Sequence, residues 1–217
     1  MEVKPITLKG KIVTLEPMSK DHLDALCDTG LDPSIWQWSP ERITSKYSMA
    51  SYVKTALDGQ VNGVTLPFVN RENSSGKIVG STRFGNIDRP NKHVEIGWTW
   101  LATPWQRTYV NTEAKLLMLT HAFETWKCIR VEFKTDSLNE RSRNAILRIG
   151  AKQEGIHRNH MITEAGRFRD SVFYSIIESE WTDVKARLIS MLQLTQLSSA
   201  PADVNKLKLE PDATCPK

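Results

Sequence analysis

One change of hydrophobic period in the middle of the chain limits the available folds more than any other feature. Residues 64–70, 77–87 and 93–101 read as strands, the last rich in valine, isoleucine and tryptophan. Turn-forming residues separate them, from Arg71 to Gly76 and from Asp88 to Asn91. From Asn111 or Thr112 the period becomes helical, with Leu116, Leu119, Phe123 and Trp126 recurring at three and four. Residues 129–135 then form another short strand. After a helical crossover, that strand can lie parallel to the one before it. A meander followed by such a crossover predicts an α/β domain built on a mixed sheet.

The flanking segments fit one domain over residues 1–195. Residues 6–16 read as a strand with a turn or bulge at Gly10 and Lys11, ended by Pro17. Ser19 is placed to cap a helix running to Gly30, and a second helix covers residues 45–60. Between them, Pro33 and Pro40 punctuate a loop. Residues 139–149 are helical, with Gly150 as a stop. Residues 153–158 and 169–177 are closing strands, and residues 181–194 the last helix. Residues 196–217 carry Pro201, Pro211 and Pro216 and read as a loose tail.

Composition removes several classes. The 217 residues are 40% hydrophobic and 25% charged, as in an ordinary soluble domain. No run approaches the ~18 apolar residues of a membrane span. The start, Met1-Glu2-Val3-Lys4-Pro5, lacks the apolar region of a secretory signal, so a cytoplasmic protein is expected. The net charge of +4 comes from scattered residues, which permits acidic ligands but forms no basic stripe for nucleic acid. Cys27, Cys128 and Cys215 are far apart and offer neither a metal pair nor a disulfide framework. His157 and His160 have no thiol or carboxylate companions in sequence, so no metal is expected.

The segment from His93 to Ala114 carries the chemistry. A strand runs into a loop, and the loop opens a helix. The first amides of a helix have no internal partner and sit at the positive end of its dipole. Such a place suits a phosphate or pyrophosphate, and Arg107 stands beside it. The same residues also fit an ordinary strand-to-helix connection.

Four pieces of sequence together resemble the GNAT superfamily of acetyl-CoA-dependent N-acetyltransferases, with the RimJ/RimL-like branch closest. Val94-Glu95-Ile96-Gly97-Trp98 resembles the family's central strand. Trp105-Gln106-Arg107-Thr108-Tyr109-Val110-Asn111-Thr112-Glu113-Ala114 resembles its pyrophosphate loop and helix start. Asn139-Glu140-Arg141-Ser142 resembles its Asn-x-x-Ser signature, and the stretch from Ala145 to Gly155 its helix end and following strand. The resemblance implies a mostly antiparallel mixed sheet in which a central strand pair splays and acetyl-CoA enters the gap. It implies that backbone at Trp100 and Leu101 pairs with the pantetheine. Gln106, Arg107, Thr108, Tyr109, Val110, Asn111 and Thr112 would hold the pyrophosphate, and Asn139 and Ser142 would lie along the arm. Tyr109 and Asn111 stand where the family has glycines; asparagine tolerates left-handed angles better than most residues and tyrosine poorly, so a weaker cofactor cradle is expected.

The implied activity is acetyl transfer to a primary amine, either a protein N-terminus or a small molecule. Glu95 is the candidate base, acting through water, and Ser142 the candidate proton donor or sulfur anchor. Ile146 occupies the place where many relatives carry a tyrosine acid. Trp36, Trp38, Arg83 and His160 are candidates for the acceptor side, together with Phe84, Arg167 and Arg169. A non-catalytic acyl-CoA sensor on the same fold is the alternative. An edge strand or the last helix could mediate a homodimer.

Overall fold

The computed structural model describes residues 1–198, with side chains to Gln193. The part of the expected tail beyond Ser198 lies outside the described residues, while residues 196–198 continue the last helix.

The sheet has eight strands: β1 (Leu8–Lys9), β2 (Val13–Pro17), β3 (Leu66–Glu72), β4 (Ile78–Asp88), β5 (His93–Leu101), β6 (Arg130–Asp136), β7 (Lys152–Ile162) and β8 (Phe168–Ile177). Their spatial order is β1-β2-β3-β4-β5-β6-β8-β7. All neighbours are antiparallel except β5 and β6, which are joined by the helical crossover and run parallel. The expected first strand is in fact a hairpin, because the chain turns between Lys9 and Val13 and β1 pairs back on β2. Strand β7 is longer than its apolar pattern suggested. Nearly all of it is exposed, and it is ordered by pairing with β8 rather than by burial.

Five α-helices flank the sheet: α1 (Leu23–Gly30), α2 (Lys46–Val61), α3 (Val110–Thr120), α4 (Glu140–Arg148) and α5 (Trp181–Ser198). Ser45 caps α2 by accepting the Ser48 amide at 3.1 Å. Helix α3 stops earlier than its apolar stripe predicts and widens into a π-helical turn over His121–Thr125. There, His121 and Trp126 pack edge to face, each ring also against Phe84.

The elements α3 and α5 cover one face of the sheet through a core that includes Phe84, Ile96, Met118, Val131 and Phe133. Full burial of such a side chain contributes about 1.5–3 kcal/mol. On the other face, α1 and α2 cover β3 and β4 around Leu26, Trp36, Met49, Tyr52 and Trp100. That cover does not extend over β6, β8 and β7, whose polar side chains line an open groove.

Strands β5 and β6 stay together only briefly. His93 pairs with Arg130, Val94 with Val131 and Glu95 with Glu132, and there the ladder ends. Strand β5 continues to Leu101 and β6 to Asp136, so the two diverge into a V-shaped gap. A bulge in β5 accompanies the divergence. Ser81 of β4 faces Trp100 and Arg83 faces Gly97, so Thr82 alone stands opposite both Trp98 and Thr99. Trp98 sits in the left-handed region at φ 49°. Gly85 across the ladder makes this arrangement fit, since a Cβ there would lie 2.2 Å from the Trp98 ring.

Candidate active site

Alternation along β5 turns Val94 and Ile96 toward the α3 side and Glu95 to the open face. Glu95 is 4% exposed, yet its carboxylate stands at the point where β5 leaves β6. Asn86 Nδ2 donates to its Oε2 at 2.7 Å, and Lys134 Nζ lies 3.3 Å from the same oxygen. Gly97 leaves room beside it, since a Cβ there would approach Oε1 to 2.9 Å. An amide and an ammonium thus hold this buried carboxylate at one oxygen and leave the other without a hydrogen-bond partner among the described residues.

Beyond Glu95, β5 has no strand on its β6 side, so backbone groups toward Trp100 and Leu101 form an open edge. Leu101 O is an exception, because Gln106 Nε2 donates to it at 2.8 Å. Arg141 of α4 in turn donates to Gln106 Oε1 at 2.5 Å, tying the loop before α3 to the start of α4. Thr108 Oγ1 donates to Trp105 O at 2.7 Å and accepts weakly from the Val110 amide at 3.4 Å. Tyr109 is helical at φ −80°, so its place in this loop requires no left-handed backbone. Asn111 lies within α3 and is not left-handed either. The left-handed residue of this loop is Arg107, at φ 62°. Asn111 Oδ1 is buried with no donor in reach, beside first-turn amides that have no acceptor within the helix. Thr112 is fully buried and accepts from Arg148 at 3.1 Å.

Across the gap, Asn139 Oδ1 accepts the Ser142 amide at 3.0 Å and caps α4. Ser142 stands half-buried in the first turn of that helix.

The groove on the Glu95 side collects most of the expected acceptor residues. Arg83 is 3% exposed, and its guanidinium lies 4.7 Å from the Tyr52 ring centroid and 5.1 Å from that of Trp98. Its Nε is buried without an acceptor. His160 Nδ1 lies 3.0 Å from Ser171 Oγ. Partial burial, and then nearby Lys134, holds the His160 imidazole below its usual range. Farther along, buried Asp136 binds Arg167 and lies 3.6 Å from Arg169 Nε. Trp38 sits 5.8 Å beneath the Arg167 guanidinium. The loop carrying Trp38 is fastened to the β7–β8 turn, where the Glu164 amide donates to Pro40 O and the Arg42 amide to the Glu164 carboxylate.

Two expected acceptor residues lie elsewhere. Trp36 is a core residue, with Nε1 donating to Gly30 O at 2.7 Å and its ring against Tyr52 and Trp100. Phe84 faces the opposite side of the sheet, because alternation on β4 gives the groove to Arg83 and the α3 side to Phe84. The Trp100 side chain is likewise core, so only its backbone borders the gap.

Sequence reasoning missed four residues. Asn86 and Lys134 hold Glu95, and nothing local in the chain marks them. Tyr52 donates from α2 to the Trp98 carbonyl at 3.2 Å, bracing the bulge. Lys115 is buried under the sheet, with Nζ donating to Thr99 Oγ1 at 2.8 Å. Burial alone pulls its ammonium from 10.5 down to about 7. The only available signal was its place in the helical period, three residues before the core residue Met118.

A sheet with a splayed parallel pair, a helix start at the mouth of the gap and a buried carboxylate at its apex defines an acyltransferase-type cleft. Residues 13–152 match the family model for the acetyltransferase (GNAT) domain, and the chain belongs to the GNAT family of N-acetyltransferases. YdaF of Bacillus subtilis (strain 168), named for ribosomal N-acetyltransferase activity, is 33% identical over 110 residues. That match spans 51% of this chain and 59% of the relative's length. A GCN5-related N-acetyltransferase from Brucella melitensis superposes with a TM-score of 0.81 at 27% identity, covering 87% of this chain and 86% of that one. Mycobacterium smegmatis RimJ, in complex with CoA-disulfide, shares the fold with a TM-score of 0.73 at 22% identity, covering 86% and 92%. Among the described residues no helix is long and apolar enough to cross a membrane, and no cluster of three or more potential metal ligands occurs.

Proposed function

We propose that this chain transfers an acetyl group from acetyl-CoA to a primary amine, with Glu95 as the base. The observation that carries this reading is the buried Glu95 carboxylate at the apex of the β5–β6 gap. The residues around the gap fit the co-substrate. The open edge of β5 offers amides and carbonyls to a pantetheine arm. The first amides of α3 and the Arg107 side chain suit a diphosphate. Bound there, acetyl-CoA supplies an activated thioester.

An amine must lose a proton to become or remain a nucleophile, and Glu95 takes that proton through water. Asn86 and Lys134 keep the carboxylate aimed while leaving Oε1 available. Backbone N–H groups of β5 past the bulge stabilise the oxyanion. Ser142, at the first turn of α4, faces the departing sulfur. Arg83, Trp98, Trp38 and His160 border the path of the acceptor, a protein N-terminus or a small amine. The altered loop gives the sensor alternative little support, because Tyr109 is helical there.

The test is Glu95→Gln. Turnover of acetyl-CoA across a panel of peptides and small amines should fall about a hundredfold, as for loss of a general base. The heat of acetyl-CoA binding should be unchanged. Wild-type turnover in the variant would remove Glu95 from the chemistry, and absence of any multiple-turnover thiol release by the unmodified protein would favour a sensor.

A further inference from the structure

Building on the acetyltransferase reading, we propose that Lys115, through the Thr99 hydroxyl, is the acid that protonates the departing coenzyme A thiolate. The departing thiolate needs a proton; Ser142 anchors the sulfur in this reading, and the proton comes from a stronger acid than a serine hydroxyl. Lys115 is 6% exposed and has no carboxylate partner among the described residues. Its Nζ lies 2.8 Å from Thr99 Oγ1 and 3.5 Å from Thr82 Oγ1, and the two hydroxyls are 2.7 Å apart. The cluster's other neighbours are the Met118 thioether, 3.7 Å from Thr82 Oγ1, and the Gly97 carbonyl, to which Thr99 Oγ1 donates at 3.4 Å. Among the described residues nothing titratable faces the ammonium from β4, from β5 or from its own helix, and burial is the one cause of its shift.

A buried ammonium without a counter-ion opposes folding, so its retention points to a charge that arrives later. Thr99 shows where. It belongs to the part of β5 that has left β6, and it is exposed while the lysine beneath it is not. Its hydroxyl is therefore the link between the buried ammonium and the gap. On the groove face of the same strand lie Glu95 and Trp98. The bulge thus separates a base on one side from an acid on the other.

The step balances. As the amine nitrogen bonds to the acetyl carbon, Glu95 takes its proton through water. The carbon–sulfur bond breaks, and sulfur keeps the electron pair. Lys115 gives a proton to Thr99 Oγ1 while the Thr99 hydroxyl proton passes to sulfur, yielding the free thiol. Lys115 is left neutral and recovers its proton from solvent through the same hydroxyl. A lysine that titrates about 7 can serve in both forms near neutral pH.

Free coenzyme A tests the idea without knowledge of the acceptor. The full chain in excess is titrated from about pH 6 to about pH 10 while the ultraviolet absorbance of the thiolate is followed. At about pH 7, where half of the Lys115 side chains are still ammonium, the bound thiol should be ionised about tenfold more than in solution, because the ammonium favours its anion. With Lys115→Met the bound thiol should ionise as the free thiol does. Should that variant fail to fold, Thr99→Val retains the lysine but removes the link, and it should lose most of the effect. A bound thiol that ionises equally in the unmodified protein and the variants overturns the proposal. So does the appearance of one acetyl group on Lys115 after incubation with acetyl-CoA alone, which would make it a nucleophile. If the unmodified protein fails to bind coenzyme A, the acetyltransferase reading itself falls; binding with an unperturbed thiol sinks only the role of Lys115.

Discussion

Replacing Glu113 should loosen the frame that holds the mouth of the gap. Glu113 lies in the first turn of α3 and is 7% exposed. Its carboxylate accepts three backbone amides from the β1–β2 turn: Lys11 at 2.9 Å, Ile12 at 2.7 Å and Val13 at 2.8 Å. Gly10 is part of the fit, because a Cβ there would fall 2.3 Å from Oε2. A hydrogen bond to a charged group contributes about 1.5–3 kcal/mol. The Val13 amide is buried, so its loss weighs in full, at about 2 kcal/mol. The amides of Lys11 and Ile12 are only partly buried, and water can replace much of their bonding at about 0.5–1 kcal/mol each. Glu113→Ala should therefore cost about 3–4 kcal/mol. Glu113→Gln retains one carbonyl acceptor and should cost roughly half as much. Urea unfolding followed by circular dichroism measures both, with stability taken from midpoint and slope. An alanine variant that loses less than about 1 kcal/mol at unchanged slope would show that this carboxylate does not hold the hairpin to α3.

Gly97→Ala should push the Glu95 carboxylate aside, since the new methyl would meet Oε1 at 2.9 Å; turnover should drop about tenfold with the unfolding midpoint nearly unchanged. Equal turnover would mean that Glu95 tolerates displacement. Ser142→Ala keeps the Asn139 cap, because that bond uses the Ser142 amide, and should slow turnover about tenfold, or ~1.4 kcal/mol. A normal rate would restrict Ser142 to a structural place in α4. Lys115 also makes stability depend on pH. Below about pH 7 both states are protonated and the folded state carries the full burial penalty. Between about 7 and 10.5 the unfolded chain binds more protons than the folded one, so stability rises with pH. Lys115→Met lacks that rise, and its stability relative to the unmodified protein should be about 3 kcal/mol less favourable at about pH 9 than at about pH 6. A difference that does not change with pH would show that Lys115 keeps its ordinary charge when folded.

The order of strands and helices was legible because periodicity and punctuation act over a few residues. The strand from His93 to Leu101, the helix capped by Ser45 and the Asn139 cap on α4 all stand where local pattern puts them. Glu95 could be singled out on its strand, and the helix start after Gln106 could be read as an anion site. The chain alone could not say which face each side chain would meet. Trp36 turned inward because Tyr52 and Trp100, far off in sequence, build a pocket for its ring. Positive φ moved to Arg107 because the loop winds into its helical turn by Tyr109. The bulge at Trp98 needs an empty place at Gly85 on the neighbouring strand. Lys115 became unusual only when β4 and β5 closed over it with hydroxyls and no acid. Backbone preference is local, whereas burial, register and charge compensation depend on what the fold packs opposite each residue. Element order is therefore written along the chain, and the chemistry of the cleft is decided by contacts across it.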